Sequence, residues 1–339
     1  MKKIIFLIII LSLLTGVIFV FLFFKTEPKR QVETKVKKEL PLLKYSISHL
    51  PDYPYQASEI KLEAVIATQS AYTSYLFSYQ TTGRTMTGQA NIPISEAKGT
   101  IVMLRGYISP ENYQSGDGTR AAAAVFANNG YVTLAPDFLG FGGSDPEPSD
   151  SWEARFIKPV NVIELLKSVS TLSIHGEGTP ANAGEGEARL GIWAHSNGGQ
   201  IALTVLEVLD QSIPTTLWAP VTSPFPYSVL YFTDEMEDEG KATRKWLSQF
   251  EKDYDVFDFS LSKHLDKLSL SPIQIHQGTS DDAVLVWQTR EFIDKTETAS
   301  SSAINVQYFE YPDTDHNMKP SWDLAVQRDL EFFANNLAN

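Results

Sequence analysis

The chain is 339 residues long, 43% hydrophobic, free of cysteine, and carries a formal net charge of −13. That much apolar material supports a substantial core, which excludes a disordered or fibrous chain. The lack of cysteine leaves no disulfide framework and no thioether-linked lipid, and the acidic balance argues against nucleic acid as a partner.

The charge is divided along the chain. Residues 1–44 carry nine Lys/Arg and three Glu, net +6, while the rest carries nineteen Lys/Arg against thirty-eight Asp/Glu, net −19. Residues 4–24 are uncharged and nearly all apolar, preceded by Lys2 and Lys3. Twenty-one residues suffice to span a bilayer as a helix, and the run is longer than the apolar part of a signal peptide, with no small-x-small cleavage site behind it. It predicts an uncleaved single-pass anchor with membrane lipid as partner. The basic residues Lys25, Lys29, Arg30, Lys35, Lys37 and Lys38 read as a solvated stalk or as contacts to anionic headgroups. They would favour a cytoplasmic body, whereas a Met-Lys-Lys start before an apolar run looks like an export signal; we expect the body on the outer face.

Residues 40–60, with three prolines and three tyrosines, read as an irregular linker that packs onto the body. The expected organisation is therefore an anchor over 1–24, a stalk and linker over 25–58, and a single large domain over 59–339. Strands are predicted at 62–66, 72–79 and 86–92, the last two joined by a turn at Thr82-Gly83-Arg84. The pattern then alternates: strand 100–104, helix 118–128, strand 131–135, helix 160–172, strand 190–194, helix 199–209, strand 273–276, helix 286–296, strand 305–311 and helix 321–337. Strands alternating with helices imply an α/β fold, a mostly parallel doubly wound sheet covered on both faces.

Two stretches interrupt the alternation. Residues 175–187 read as a surface loop. Residues 222–270 read as an insertion, a possible lid, with a helix over 242–250 and an acidic run over 234–239 that suits a solvated face. Its aromatic residues Phe225, Tyr227, Tyr231, Phe232 and Trp246 fit either a substrate pocket or a core.

The stretch Leu190-Gly-Ile-Trp-Ala-His-Ser-Asn-Gly-Gly199 reads as a strand, a sharp turn carrying Ser196, and a helix. Such an elbow lifts a serine hydroxyl above the sheet edge and needs small residues two before and two after it, here Ala194 and Gly198. An ordinary strand-to-helix turn would use the same residue types. A serine nucleophile needs a base oriented by a carboxylate, in the chain order serine, acid, histidine. Asp281, with Asp282 as an adjacent alternative, lies in the loop after strand 273–276, and His316 lies in the polar loop before the last helix. His49, His175 and His264 fall in linker, loop and insertion, and His276 falls on a strand. His195 reads as a supporting neighbour of the nucleophile, because adjacent residues cannot both point into one site. The oxyanion donors are expected to be the backbone N–H groups of Asn197, at the start of a helix, and of Tyr107, in the loop after strand 100–104. No metal or organic cofactor is called for.

Taken together these motifs resemble the α/β-hydrolase superfamily, and within it the catalytic domain of the prolyl oligopeptidase group (peptidase S9) and related esterases. The resemblance runs from about Tyr72 to the C-terminus and includes Asn91-Ile-Pro93, Gly106-Tyr107, the segment from Ala135 to Ser144, the elbow, the Asp281 loop and the His316 loop. It implies a serine hydrolase that cleaves a small peptide or ester substrate through an acyl-enzyme, here joined to the expected membrane anchor. Arg105 stands where the group usually has histidine, and Ala194 where it has glycine. The oligopeptidases also carry a β-propeller, and about 60 residues before the catalytic domain cannot build several blades of about 40 residues each. A carboxylesterase and a catalytically silent tethered binding protein are the competing readings; oligomeric state is not legible.

Overall fold

Apolar side chains at successive positions of one strand divide between two faces. Ile101 and Met103 belong to one buried cluster, Val102 and Leu104 to the other, the period-two signature of a sheet covered on both sides. A computed structural model describes residues 38–172, 189–209, 211–233, 236–299 and 304–337. It contains a nine-stranded sheet: β1 (Lys61–Thr68), β2 (Tyr72–Thr81), β3 (Arg84–Pro93), β4 (Thr100–Leu104), β5 (Val132–Pro136), β6 (Leu190–His195), β7 (Thr215–Trp218), β8 (Ile273–Gly278) and β9 (Val306–Tyr311). The strand order is β1-β2-β3-β5-β4-β6-β7-β8-β9. The first three strands pair antiparallel, β3 also pairs antiparallel with β5, and the pairs from β5 through β9 are parallel.

The expected hairpin closes through Thr82 and Gly83, both at positive φ, the backbone sign pattern of a tight two-residue hairpin turn. Every residue of β4, β5, β7 and β8 is buried. One face is covered by α1 (Arg120–Asn128) and, near the C-terminus, by α8 (Trp322–Asn336), whose Phe126 and Phe333 meet edge to face. The other is covered by α3 (Lys158–Ser168) and α4 (Asn197–Val208), with α2 (Ser151–Phe156) leading into α3. Between β8 and β9 lies α7 (Val286–Ala299).

Several elements differ from the sequence expectation for identifiable reasons. β7 is only four residues long and was not expected; Thr215, Thr216, Leu217 and Trp218 are too few to show a period. The α2 turn was also unexpected, although Asp150 caps it by accepting from the Glu153 N–H at 2.8 Å. Residues 40–58, expected as an irregular linker packed onto the body, belong to the compact unit that begins at Leu40 and contribute to its core: Tyr45, Ile47 and Leu50 are buried, and the Ile47 N–H donates to the Asp258 carbonyl. The insertion forms α5 (Tyr227–Leu230), α6 (Lys241–Phe250) and a run of 3-10 turns. Phe225 is buried with Trp152, Phe156, Phe250 and Phe259, whereas Tyr227, Tyr231, Phe232 and Trp246 are exposed.

The anchor expected over 4–24, the stalk over 25–37 and the loop over 175–187 lie outside the described residues. Among the described residues no helix is long and apolar enough to cross a membrane.

Candidate active site

Parallel strands deliver their C-terminal ends to one edge of the sheet, where ligands bind in folds of this kind. Here those ends carry Arg105 to Tyr107 after β4, Ser196 after β6, Asp281 after β8 and His316 after β9.

Ser196 has φ 55 and ψ −120, a conformation that costs a non-glycine residue of order 1–3 kcal/mol and persists only where its surroundings over-determine it. Its N–H donates to the Trp218 carbonyl at 2.9 Å, and its own carbonyl accepts from the Gly199 and Val221 N–H groups at 2.9 and 3.0 Å. Gly198 is required by close approach, since a Cβ there would sit 2.3 Å from the Leu104 carbonyl oxygen. Ala194, within β6 and fully buried, is accommodated in place of glycine.

The His316 Nδ1 lies 3.0 and 2.9 Å from the two Asp281 carboxylate oxygens. Asp281 also accepts from the Ala283 and Val284 N–H groups and from Gln277 Nε2, and its side chain is fully buried. Burial opposes ionisation of Asp281, but the hydrogen bond and positive field of His316, the Val284 N–H and Gln277 outweigh it and hold the carboxyl below its usual range. Asp282, the adjacent alternative, is exposed. Because the carboxylate only accepts, Nδ1 carries the proton and Nε2 keeps the lone pair that a general base needs. The His316 side chain is 18% exposed, so that nitrogen is accessible. Among the described residues Ser196 Oγ makes no hydrogen bond to His316; in unliganded hydrolases that bond is often long or misaligned and tightens with substrate.

His195 packs against His316. Its Nε2 lies 2.9 Å from the His316 carbonyl and its ring 4.7 Å from the His316 ring. Burial, and then the field of His316, push its pKa down to about 4, so it is a neutral Nε2–H donor. A second Asp–His pair, Asp329 with His276, is fully buried beneath the sheet edge and tied to Trp218, Gln274 and Tyr311; no substrate reaches it.

Asn197 is the first residue of α4, so its N–H has no acceptor one turn back in the helix. Gly106 abuts the nucleophile: a Cβ on it would lie 3.0 Å from Ser196 Cβ. Tyr107 follows with its ring 78% exposed. Sequence reasoning missed the device that holds this loop. Arg105 is buried, donates from Nη1 to the Gly106 carbonyl and from Nη2 to the Asp137 carbonyl, both at 2.9 Å, and lies over the rings of Phe141 and Tyr113. The Asp137 carboxylate gathers the hydroxyls of Thr87, Tyr113 and Ser115, which gives the segment around Asp137 a structural task. Beside Asn197 opens a cleft of about 550 Å³, part of it open to solvent, walled by Phe156, Phe225, Phe259 and Leu261.

A serine at positive φ between strand and helix, in a sheet of this order, defines the α/β-hydrolase fold. The prolyl oligopeptidase family, peptidase family S9, matches residues 118–339, and the chain belongs to it; it is a serine hydrolase, peptidase or esterase in class. Among curated proteins none matches the chain. Solved structures similar in fold include an α/β hydrolase from Penicillium sp. sh18, 12% identical over 78% of this chain and 99% of that one, TM-score 0.55. An esterase of Pyrococcus furiosus is 17% identical over 84% and 99%, TM-score 0.54. An acetyl xylan esterase from Thermoanaerobacterium sp. is 16% identical over 86% and 90%, TM-score 0.55.

Proposed function

We propose that the protein cleaves a small peptide or ester through an acyl-enzyme formed on Ser196. The observation that carries this reading is the Asp281–His316 hydrogen-bonded pair at the same sheet edge as a serine held at positive φ. His316 Nε2 takes the Ser196 proton as Oγ attacks the carbonyl carbon, and the ionised Asp281 stabilises the resulting imidazolium. The Asn197 and Tyr107 N–H groups receive the negative oxygen of the tetrahedral intermediate. His316 then returns the proton to the leaving amine or alcohol, and a water activated by the same nitrogen releases the acyl group.

Family membership supports a peptidase. The second reading, a carboxylesterase, is favoured by the apolar walls Phe156, Phe225, Phe259 and Leu261 of the cleft beside Asn197, which suit a small acyl group. Turnover of a para-nitrophenyl ester compared with that of a prolyl or dipeptidyl amide, in the wild type and in Ser196→Ala, separates the two and tests the nucleophile. Loss of all turnover in Ser196→Ala is expected; unchanged turnover would refute the mechanism. The apolar run over 4–24 supports a tethered enzyme, and the Met-Lys-Lys start before it supports a body on the outer face, a placement that proteolysis of intact cells tests: a body left uncut is on the inside.

A further inference from the structure

Two cations line the cleft beside Asn197, and among the described residues no carboxylate pairs with either. Arg155 lies in α2, Lys158 opens α3, and both line the cleft that begins at Asn197. From α4 the cleft is lined by Asn197, Gln200, Ile201 and Thr204, positions that share one helical face. Elsewhere α4 buries Ala202, Leu203, Val205 and Leu206. Three of the four cleft-facing residues are thus polar, on a helix that is otherwise largely apolar. From Asn197 to Thr204 is about 10 Å along the axis at 1.5 Å per residue, so the cleft leads away from the neighbour of the nucleophile.

Arg155 is oriented by its Nη2 donating to Gln200 Oε1 at 2.7 Å, with Ser228 Oγ at 3.5 Å. Among the described residues neither Arg155 nor Lys158 has a carboxylate within 4.0 Å. The carboxylate whose field reaches Lys158 is the exposed Glu147, outweighed by burial and by the field of Arg155, which push the ammonium down to about 8. Burial likewise pushes the Arg155 guanidinium down to about 10. Like charges withdrawn from water side by side are costly until an anion joins them. A guanidinium fork matches a carboxylate, the ammonium adds a point charge, and the phenyl and leucine walls suit a short hydrocarbon spacer.

We infer that this cleft is a specificity pocket for substrates bearing a carboxylate a few bonds from the scissile carbonyl, bound by Arg155 and Lys158. The inference rests on the serine-hydrolase reading, because it needs the scissile carbonyl on Ser196, the residue before the cleft-lining Asn197.

The test uses the full-length protein and two matched pairs. The first is the para-nitrophenyl monoester of glutaric acid against its neutral methyl ester; the second is a peptide with a free C-terminus against its C-terminal amide. The wild type should favour the charged member of at least one pair in kcat/KM by about tenfold to a hundredfold, the worth of a hydrogen bond to a charged group. Lys158→Gln should collapse that ratio, and Arg155→Gln should do the same; Lys158→Gln keeps the test decisive should loss of the Gln200 contact unfold the Arg155 variant. Equal or faster turnover of the neutral members, by a protein whose Ser196 reacts with a fluorophosphonate, overturns the pocket alone. So does an equal loss on both members of a pair in the variants, which marks the two cations as structural. An unreactive Ser196 with no turnover of any member brings down the hydrolase reading and the pocket with it.

Discussion

The His195 Nε2 lies 2.9 Å from the backbone carbonyl of His316, so the residue before Ser196 ties down the loop that carries His316, the base of the proposed mechanism. The two histidines divide the work. Both are partly exposed; His195 keeps its proton on the nitrogen that fastens the loop, and His316 presents a free nitrogen at the sheet edge.

That division has a pH signature. The folded pKa of His195, about 4, lies below the value of roughly 6.5 for an unfolded histidine, so between these limits the unfolded chain binds a proton that the folded chain does not. Stability should fall as pH drops from about 6.5 towards about 4. In His195→Gln that part of the acid slope should be absent in thermal melts, and kcat should drop by roughly fivefold from a loosened base, the worth of a hydrogen bond of about 1 kcal/mol.

Asp281 and Asp282 make opposite predictions. Asp281→Asn should lower kcat by about 10⁴, the loss expected when the base is left in the wrong tautomer. Asp282→Asn should leave steady-state rates within about twofold, as for an exposed substitution away from the site. The folded pKa of Asp281 is depressed, so its contribution to stability is present above the ordinary carboxylate pKa of about 3.9 and is lost as pH falls through the folded value. Acid denaturation of Asp281→Asn should show a shallower limb below about pH 4.

Arg105 should act on the oxyanion without touching substrate. Its grip on the Gly106 carbonyl fixes the plane of the Gly106–Tyr107 peptide, and in a trans peptide the Tyr107 N–H points the opposite way from that carbonyl. Arg105→Lys loses the two-pronged contact, so kcat should fall by about tenfold or more with KM little changed, short of the hundredfold loss for removing an oxyanion donor outright. A boronate analogue of the tetrahedral intermediate should weaken in parallel. An equal loss in KM would assign Arg105 to substrate binding instead.

Glu207 is a stability liability. It is buried in α4, among the described residues neither carboxylate oxygen has a hydrogen-bond partner, and burial raises its pKa well above the ordinary value. A raised folded pKa contributes most below the unfolded value of about 4.5 and loses that contribution as pH rises. Glu207→Met should therefore stabilise the protein by about 1–3 kcal/mol at neutral pH, the cost of an unsatisfied buried polar group. In chemical denaturation the gain should shrink towards pH 4.5.

Ser196, Asp281 and His316 could be singled out in the sequence because the fold orders serine, acid and histidine along the chain and each sits in a distinctive loop, and the structure brings Asp281 and His316 into a hydrogen-bonded pair. Asp281 was preferred to the adjacent Asp282 on spacing alone; what orients it, Gln277 and two N–H groups, depends on which way the loop turns and carries no sequence signal. Arg105 stood out only as a departure, because its partners Tyr113, Asp137 and Phe141 are distant in sequence. Arg155 and Lys158 gave no signal, since a helical segment with two cations reads as a solvated face until α4 is packed against it. Residues 40–58 looked like linker because 3-10 turns carry no period, although Tyr45, Ile47 and Leu50 fill part of the core.

The central claim is that Ser196 is a nucleophile activated by His316. Treating the folded full-length protein with a fluorophosphonate and mapping the adduct by peptide mass spectrometry tests it directly. A single adduct on Ser196, abolished in His316→Ala while the variant keeps its wild-type melting profile, is the predicted result; folded protein that carries no adduct on Ser196, or the same adduct in His316→Ala, would contradict it.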